Sequence, residues 1–181
     1  MKRIERKLIL QYGALPILAI LLFAMNWEKE DAFTLLVQET LLIFGYFAAL
    51  SDFRQMRVPN RLVLAMFCIW IVLMVPQLFL QTEKALLLLI SAVMGAVMSG
   101  ILFLLVYVVS KKGLGGGDVK LMTVSGLYLS IENVLSAMLY GSVFAAIFGI
   151  IMMLRKKIGP RDPIPLVPFL YAGMLLSMII Q

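Results

Sequence analysis

Residues 111–120 read KKGLGGGDVK and form a basic, glycine-rich break between two long apolar runs. Its one acidic residue, Asp118, stands at the start of the second run. A carboxylate at the edge of an apolar segment is costly to keep near lipid, so such residues commonly belong to functional sites. This stretch therefore marks both a helix boundary and a candidate site.

The composition on both sides of this break is that of an integral membrane protein. The chain has 181 residues, of which 62% are hydrophobic and 14% are charged, and its mean hydropathy is +1.01. Soluble domains are only about half apolar. Apolar runs of about 20 residues match helices that cross a hydrocarbon core about 30 Å thick. The runs are continuous rather than alternating, which excludes a membrane β-barrel.

The apolar runs predict an all-α polytopic membrane protein, built as a bundle of about seven transmembrane helices. The predicted spans are 8–26, 33–51, 61–80, 85–110, 119–131, 133–154 and 164–180. The fifth span is short, and we expect it to be either partly re-entrant or tucked among the other helices. The first span follows four basic residues, as an uncleaved signal anchor does. We therefore divide the chain into an N-terminal anchor-like span with its outer loop (1–32) and a six-span core (33–181).

The basic residues indicate the orientation of these spans. Fourteen of the sixteen Lys and Arg residues fall in the N-terminal segment and in the second, fourth and sixth connections. The opposite connections contain Lys29 and Lys84 as their only basic residues, together with five acidic residues. Because cytoplasmic loops are enriched in Lys and Arg, we predict a cytoplasmic N-terminus. The net charge of +6 is thus a topology signal, and we expect no nucleic-acid partner.

A second carboxylate, Asp52, occupies a place similar to that of Asp118. It ends the apolar run 33–50 and precedes residues 53–60, which read FRQMRVPN. In the predicted topology both aspartates lie near the cytoplasmic face. Two carboxylates in contact do not both ionise easily, so one keeps a proton. Such a pair combines a base that activates water with an acid that polarises a carbonyl, which is aspartic-protease chemistry.

Metal and cofactor chemistry finds little support in the sequence. The chain contains no histidine and one cysteine, Cys68, which lies within an apolar run. A disulfide framework, a conventional zinc site or a haem site needs more of these ligands. We therefore expect no metal and no cofactor.

Simpler interpretations of the same residues remain open at this point. A single aspartate near a membrane surface is usually a solvated loop residue, and three glycines often form a flexible turn or a close helix contact. The glycine run lacks the Lys-Ser/Thr ending of a phosphate-binding loop. A rival function is a small proton- or ion-coupled transporter subunit that uses Asp52 and Asp118 as a relay. That function predicts carboxylates near the bilayer midplane and an inverted repeat, and the sequence shows neither.

Three motifs, in order, resemble those of the type IV prepilin peptidases, which are Gly-x-Gly-Asp intramembrane aspartic proteases. Residues 115–121, GGGDVKL, are similar to the Gly-x-Gly-Asp-x-Lys-Leu signature of that family. Residues 52–60, DFRQMRVPN, resemble its first aspartate motif, in which Ile/Val-Pro-Asn follows the aspartate. Residues 165–169, PLVPF, followed by Gly173, resemble its closing Pro-x-x-Pro-Phe segment. The resemblance covers about residues 33–181.

The resemblance implies roles for particular residues. Asp52 and Asp118 become the catalytic pair. We expect Gly115 and Gly117 to let the backbone approach the site closely, since glycine accepts conformations that other residues resist. The other expected site-shaping residues are Lys120, Pro59, Asn60, Pro165 and Pro168. Of these, Pro59 restricts the chain before the third helix, Asn60 caps that helix, and the last two hold an irregular start of the final span against the site.

The resemblance also implies a substrate and a place of action. Members of the family remove a short basic leader from prepilin-like or preflagellin-like precursors, whose apolar helix follows the cut. We therefore expect a multi-pass protein of the cell (inner or cytoplasmic) membrane, with precursor proteins and the lipid bilayer as its partners and its active site near the cytoplasmic face. Bifunctional members carry a cytoplasmic insert with paired Cys-x-x-Cys motifs and N-methylate their product. This chain has one cysteine, so we expect a peptidase-only protein; an inactive assembly protein of a pilus machinery remains the other possibility within this setting.

Overall fold

The computed structural model describes residues 31–110, 114–157, 159 and 162–180, together with the helical positions Ile17, Ile20 and Ala24. In these ranges all regular structure is α-helical. The five helices are α1 (Ala32–Gln55), α2 (Asn60–Leu80), α3 (Thr82–Val109), α4 (Gly116–Leu154) and α5 (Val167–Ile180). The predicted span 8–26 and the N-terminal division built on it lie outside the described residues, apart from the three isolated positions.

The helices are those of a polytopic membrane protein, which confirms the predicted fold class. Helices α1 to α4 are each long and apolar enough to cross a membrane, and α5 is a shorter apolar helix of 14 residues. Large apolar side chains cover much of the outer surface of α2 and α3, for example Phe79, which is 85% exposed. This outward apolar surface is what a lipid environment requires.

Helix α4 consists of two limbs that meet at Ser130. The backbone of Ser130 has φ 59° and ψ 179°, which is not helical and is uncommon for a residue with a side chain. A straight helix would hold residues 116 and 145 about 44 Å apart at 1.5 Å per residue. Gly116 and Ala145 nevertheless line the same cleft, so the chain reverses direction at Ser130. The two limbs correspond to the predicted spans 119–131 and 133–154, with the break at Ser130 rather than at residue 132.

Most of the first limb of α4, residues 116–129, is enclosed by the other helices, while Val119, Thr123 and Val124 are partly exposed. Eight of its residues are buried: Asp118, Leu121, Met122, Ser125, Gly126, Leu127, Tyr128 and Leu129. The hydroxyl of Tyr128 donates a hydrogen bond to the carbonyl oxygen of Met66 on α2 at 2.7 Å. The hydroxyl of Ser99 on α3 donates to the Met122 carbonyl at 3.0 Å. This is the tucked arrangement that the shortness of the segment predicted.

Glycines let the helices of the bundle approach each other closely. A Cβ atom on Gly126 of α4 would lie 2.6 Å from the carbonyl oxygen of Gly95 on α3. A Cβ atom on Gly141 of α4 would lie 2.7 Å from the Cα atom of Leu170 on α5. Small residues at such crossings are the usual means by which membrane helices pack. These two contacts fix the limbs of α4 against α3 and α5, and so set where the N-termini of α4 and α5 lie.

Candidate active site

Asp52 lies in the last turn of α1, where the helix is brought to a definite end. Met56 follows the helix in the left-handed region, with φ 52°, and its N–H donates to the carbonyl oxygen of Asp52 at 2.8 Å. A left-handed residue after the last turn is a common way to end a helix. The side chain of Asp52 is only 5% exposed, so its carboxylate points into the bundle.

The N-terminus of α5 binds the carboxylate of Asp52. The backbone N–H of Val167, the first residue of α5, donates to Oδ2 of Asp52 at 3.0 Å. The backbone N–H of Leu166 forms a further hydrogen bond with the same carboxylate. Free N–H groups at the start of a helix, together with the helix dipole, favour a negative charge in this position. Residues 52 and 167 are 115 positions apart, so this contact closes the bundle around the site.

The two predicted prolines lie on either side of this contact. Pro165 belongs to the non-helical segment 162–166, and Pro168 is the second residue of α5. A proline in the first turn of a helix is well tolerated because its nitrogen has no helical partner to lose. Pro168 has no N–H to donate, and the donors to Asp52 are the N–H groups of the two residues before it, Leu166 and Val167. Neither proline lines the cleft itself; they flank residues 166 and 167 in the sequence.

Asp118 lies in the first turn of α4 and bonds to the start of its own helix. The N–H of Gly115 donates to Oδ2 of Asp118 at 3.2 Å, and the N–H of Asp118 donates to the carbonyl oxygen of Gly115 at 3.0 Å. The first bond is the half of a capping box that the N3 carboxylate supplies, and the second is a main-chain turn bond. Only 8% of Asp118 is exposed. The carboxylate is therefore held in a defined position at a helix N-terminus.

Asp52 and Asp118 line one cleft with a volume of about 1120 Å³. Both side chains are buried at this cleft, which brings the two carboxylates to one site. In buried surroundings two such groups do not both ionise easily, so the pair tends to hold one proton. The structure therefore brings together the two aspartates that the sequence singled out, although 66 positions separate them.

The glycine turn before α4 lies against the segment that follows α1. A Cβ atom on Gly117 would lie 3.1 Å from the Cβ atom of Val58, and a Cβ atom on Gly115 would lie 3.1 Å from Oδ2 of Asp118. A Cβ atom on Gly116 would meet no atom within 4 Å. Among the described glycines none has a positive φ, and Gly115 has φ −73°. Gly115 and Gly117 therefore lie at close approaches, and neither adopts a left-handed backbone conformation.

The Pro59–Asn60 pair starts α2 in a different way from the predicted one. The residue before the first helical residue is Pro59, whose carbonyl oxygen accepts hydrogen bonds from the N–H groups of Leu62 and Val63. Asn60 is the first residue of α2 and its side chain makes no capping bond, so the predicted cap was wrong. Its Oδ1 instead accepts a hydrogen bond from Nζ of Lys120 at 3.2 Å. Asn60 and Lys120 thus join α2 to α4.

Several contributors to the site had no signal in the sequence. The backbone donors of residues 166 and 167 became visible only once α5 was placed against Asp52. Asp162 also lines the cleft, and its Oδ2 accepts a hydrogen bond from the N–H of Gly159 at 2.7 Å. It belongs to none of the three motifs. Within the described ranges no group of three or more His, Cys, Asp or Glu side chains is arranged to hold a metal ion.

Comparison with known proteins yields a family and two relatives. The model of the type IV leader peptidase family matches residues 39–150, which include both aspartates and the glycine turn. A prepilin leader peptidase/N-methyltransferase from Bacillus subtilis (strain 168) is 29% identical over 153 residues, which are 82% of this chain and 56% of the relative. A protein of the same name from Xanthomonas campestris pv. campestris is 26% identical over 151 residues, or 82% of this chain and 49% of the relative.

The chain spans about half the length of these curated relatives. No solved structure matches it significantly. The family match covers well over half of the chain and contains the cleft-lining ends of α1 and α4. On this ground the chain belongs to the type IV leader peptidase family.

Proposed function

We propose that the chain is a membrane-embedded aspartic endopeptidase that removes the short basic leader from prepilin-like or preflagellin-like precursors. One observation supports this most directly: Asp52 and Asp118, both less than one-tenth exposed, line the same cleft. Both relatives carry the name prepilin leader peptidase/N-methyltransferase, which supports the substrate class.

The proposed mechanism uses the pair as a base and an acid. The ionised carboxylate takes a proton from a water molecule in the cleft, and the water oxygen attacks the scissile carbonyl carbon. The protonated carboxyl donates a hydrogen bond to the carbonyl oxygen, which carries the developing negative charge. Collapse of the tetrahedral intermediate breaks the C–N bond, and the leaving amine takes up a proton. The backbone donors at Val167 and Gly115 hold the two carboxylates in place throughout.

The position of the cleft supports cleavage at the cytoplasmic boundary of the membrane. Asp52 lies near the end of α1 and Asp118 near the start of α4, so both belong to the same end of the bundle. Most of the basic residues fall in the connections at this end, which is the pattern of a cytoplasmic face. A transporter relay would place its carboxylates near the middle of the helices instead. A leader in the cytoplasm and an apolar helix in the bilayer would present the bond between them to this cleft.

We further propose that the product keeps a free N-terminal amine. The 181 residues contain a single cysteine, Cys68, and so lack the paired Cys-x-x-Cys motifs that accompany methylation in bifunctional members. The core assigned to cleavage is residues 33–181, with residues 1–32 as an anchor-like addition.

The test is cleavage by the purified full chain in lipid. The probe is a tagged precursor with a short Lys-rich leader that ends in glycine, followed by an apolar helix of about 20 residues with one glutamate near its start. We expect a leader-sized loss of mass and an unmodified amine on the product, also when S-adenosylmethionine is present. An Asp31→Asn variant, changed at the opposite end of α1, is the matched control and should cleave normally. An intact precursor would argue against the peptidase, whereas a cut and methylated product would remove only the second proposal.

A further inference from the structure

An apolar groove lies between α2 and the first limb of α4, on the other side of α4 from the catalytic cleft. We call it the α2–α4 groove, and its volume is about 470 Å³. It is lined by Val63, Leu64 and Phe67 of α2, by Val119, Thr123 and Val124 of α4, and at one end by Asn60 and Lys120.

The groove is open to the surroundings of the protein. Leu64 is 62% exposed and Phe67 is 41% exposed, while Val63 at the floor is only 7% exposed. Both α2 and α4 are long enough and apolar enough to cross a membrane. An open apolar groove between two such helices faces the bilayer, where an apolar helix can enter it sideways.

The groove leads to the cleft over the glycine turn. Successive helix residues are 100° apart, so Lys120 points about 160° away from Asp118 on the same turn of α4. No side chain blocks the turn between them, since Gly116 and Gly117 have none. A Cβ atom on Gly116 would meet nothing within 4 Å, whereas one on Gly117 would lie close to Val58. A peptide that leaves the groove at Lys120 can therefore pass over Gly116 and reach Asp118.

The charge at the cytoplasmic end of the groove defines what fits there. Nζ of Lys120 donates a hydrogen bond to Oδ1 of Asn60, which is a neutral amide. Among the described residues, this amide is the hydrogen-bond partner of the Lys120 ammonium group. A cation at the membrane boundary without a carboxylate beside it is complementary to an acidic side chain. The groove thus combines an apolar wall with one positive charge at its cytoplasmic end.

We propose that the α2–α4 groove binds the transmembrane helix of the substrate, and that Lys120 binds a carboxylate near the cytoplasmic start of that helix. This inference rests on the proposed function, since it names where the precursor lies before its leader reaches the cleft. An extended chain covers about 3.3–3.6 Å per residue, and the width of α4 is about 10 Å. About three or four residues should therefore separate the bond that is cut from the residue held at Lys120.

Site-directed photocross-linking tests the groove. A benzophenone residue replaces either Phe67, which lines the groove, or Ile69, which does not. The two positions are matched, because they lie two residues apart on α2 and are 41% and 36% exposed. We expect the Phe67 variant to cross-link the tagged precursor at least fivefold more than the Ile69 variant, with the label in the precursor's apolar helix. Equal labelling at both positions, or labelling of lipid alone at Phe67, would overturn the proposal.

A charge exchange tests Lys120 on its own. Lys120→Glu should lower kcat/KM at least tenfold for the precursor with glutamate near the start of its helix, mainly through KM. The same variant should recover activity when that glutamate is replaced by lysine, while the wild-type chain should lose activity on the exchanged precursor. If the Lys120→Glu variant is equally impaired on both precursors, Lys120 has only a structural role and the proposed carboxylate contact is refuted. Cleavage by the wild-type chain in the same membranes keeps these outcomes distinct from failure of the peptidase itself.

Discussion

The contact between Asp52 and α5 predicts that two variants of Asp52 with neutral side chains of similar size differ in stability. In Asp52→Asn the amide oxygen still accepts the N–H of Val167, which lies 3.0 Å from Oδ2 in the native protein. In Asp52→Leu that acceptor is lost, and Val167 is only 1% exposed, so water does not replace it. Both variants remove the buried charge equally, and the comparison therefore isolates the hydrogen bond.

A buried donor without a partner costs about 1–3 kcal/mol. For a chain of this length about 1 kcal/mol shifts the unfolding temperature by about 2–4 °C, so Asp52→Leu should unfold about 6 °C below Asp52→Asn for a loss of about 2 kcal/mol. The assay is thermal unfolding of the purified variants in one detergent, followed by intrinsic tryptophan fluorescence, to which the buried Trp70 contributes. Equal unfolding temperatures would refute the inference that Asp52 holds α5. Cleavage should be absent in both variants, because both lack the ionisable group.

Further predictions concern the helix contacts that carry the site. Gly126→Ala should destabilise the chain by about 1–3 kcal/mol, because its Cβ atom would lie 2.6 Å from the Gly95 carbonyl, whereas Gly116→Ala, which meets nothing within 4 Å, should change stability by less than about 1 kcal/mol. Thermal unfolding distinguishes the two, and a Gly126→Ala variant as stable as Gly116→Ala would contradict the close crossing of α3 and α4. Tyr128→Phe should lose about 0.5–1.5 kcal/mol with its hydrogen bond to Met66, 2.7 Å long in the native protein, as seen in denaturant midpoints. An effect no larger than that of Tyr140→Phe, a partly exposed tyrosine of the second limb of α4, would count against that bond.

The fold class followed from hydropathy, and the helix boundaries followed from the positions of polar breaks. The break near residue 131 was visible because two apolar runs of unequal length met there, and Ser130 is where the chain turns. The sequence did not predict how the chain turns there, since no glycine or proline stands at that position. The backbone of Ser130 packs closely against Gly95 of α3, where a Cβ atom would lie 2.6 Å from the Ser130 carbonyl carbon, and a local sequence pattern does not predict such a tertiary contact.

The two aspartates were identified by their position at the ends of apolar runs, and the structure places them in one cleft. The neighbours of Asp52 were less accessible to sequence reasoning. Its donors are main-chain N–H groups of residues 166 and 167, which every residue except proline possesses. The sequence therefore indicated a proline-rich helix start, but its contact with Asp52 required the assembled bundle.

Asn60 illustrates a different reason for error. Asparagine is a strong N-cap residue, and it stands next to a helix start. Capping depends on a one-residue difference in where the helix begins, because Pro59 occupies the capping position and Asn60 is already helical. Its side chain then becomes free to accept the hydrogen bond from Lys120, a residue 60 positions away.

The central claim is that Asp52 and Asp118 act as one catalytic unit, and a double-mutant comparison of cleavage rates tests it most directly. The purified chain, Asp52→Asn, Asp118→Asn and the double variant are assayed in lipid on the same tagged precursor, with folding checked by thermal unfolding. Residues that work as a unit are strongly non-additive, so each single variant should lose cleavage to the same extent as the double variant, by a factor of about 10³ or more. If either folded single variant keeps cleavage within about tenfold of the unchanged chain, that aspartate does not belong to the catalytic pair.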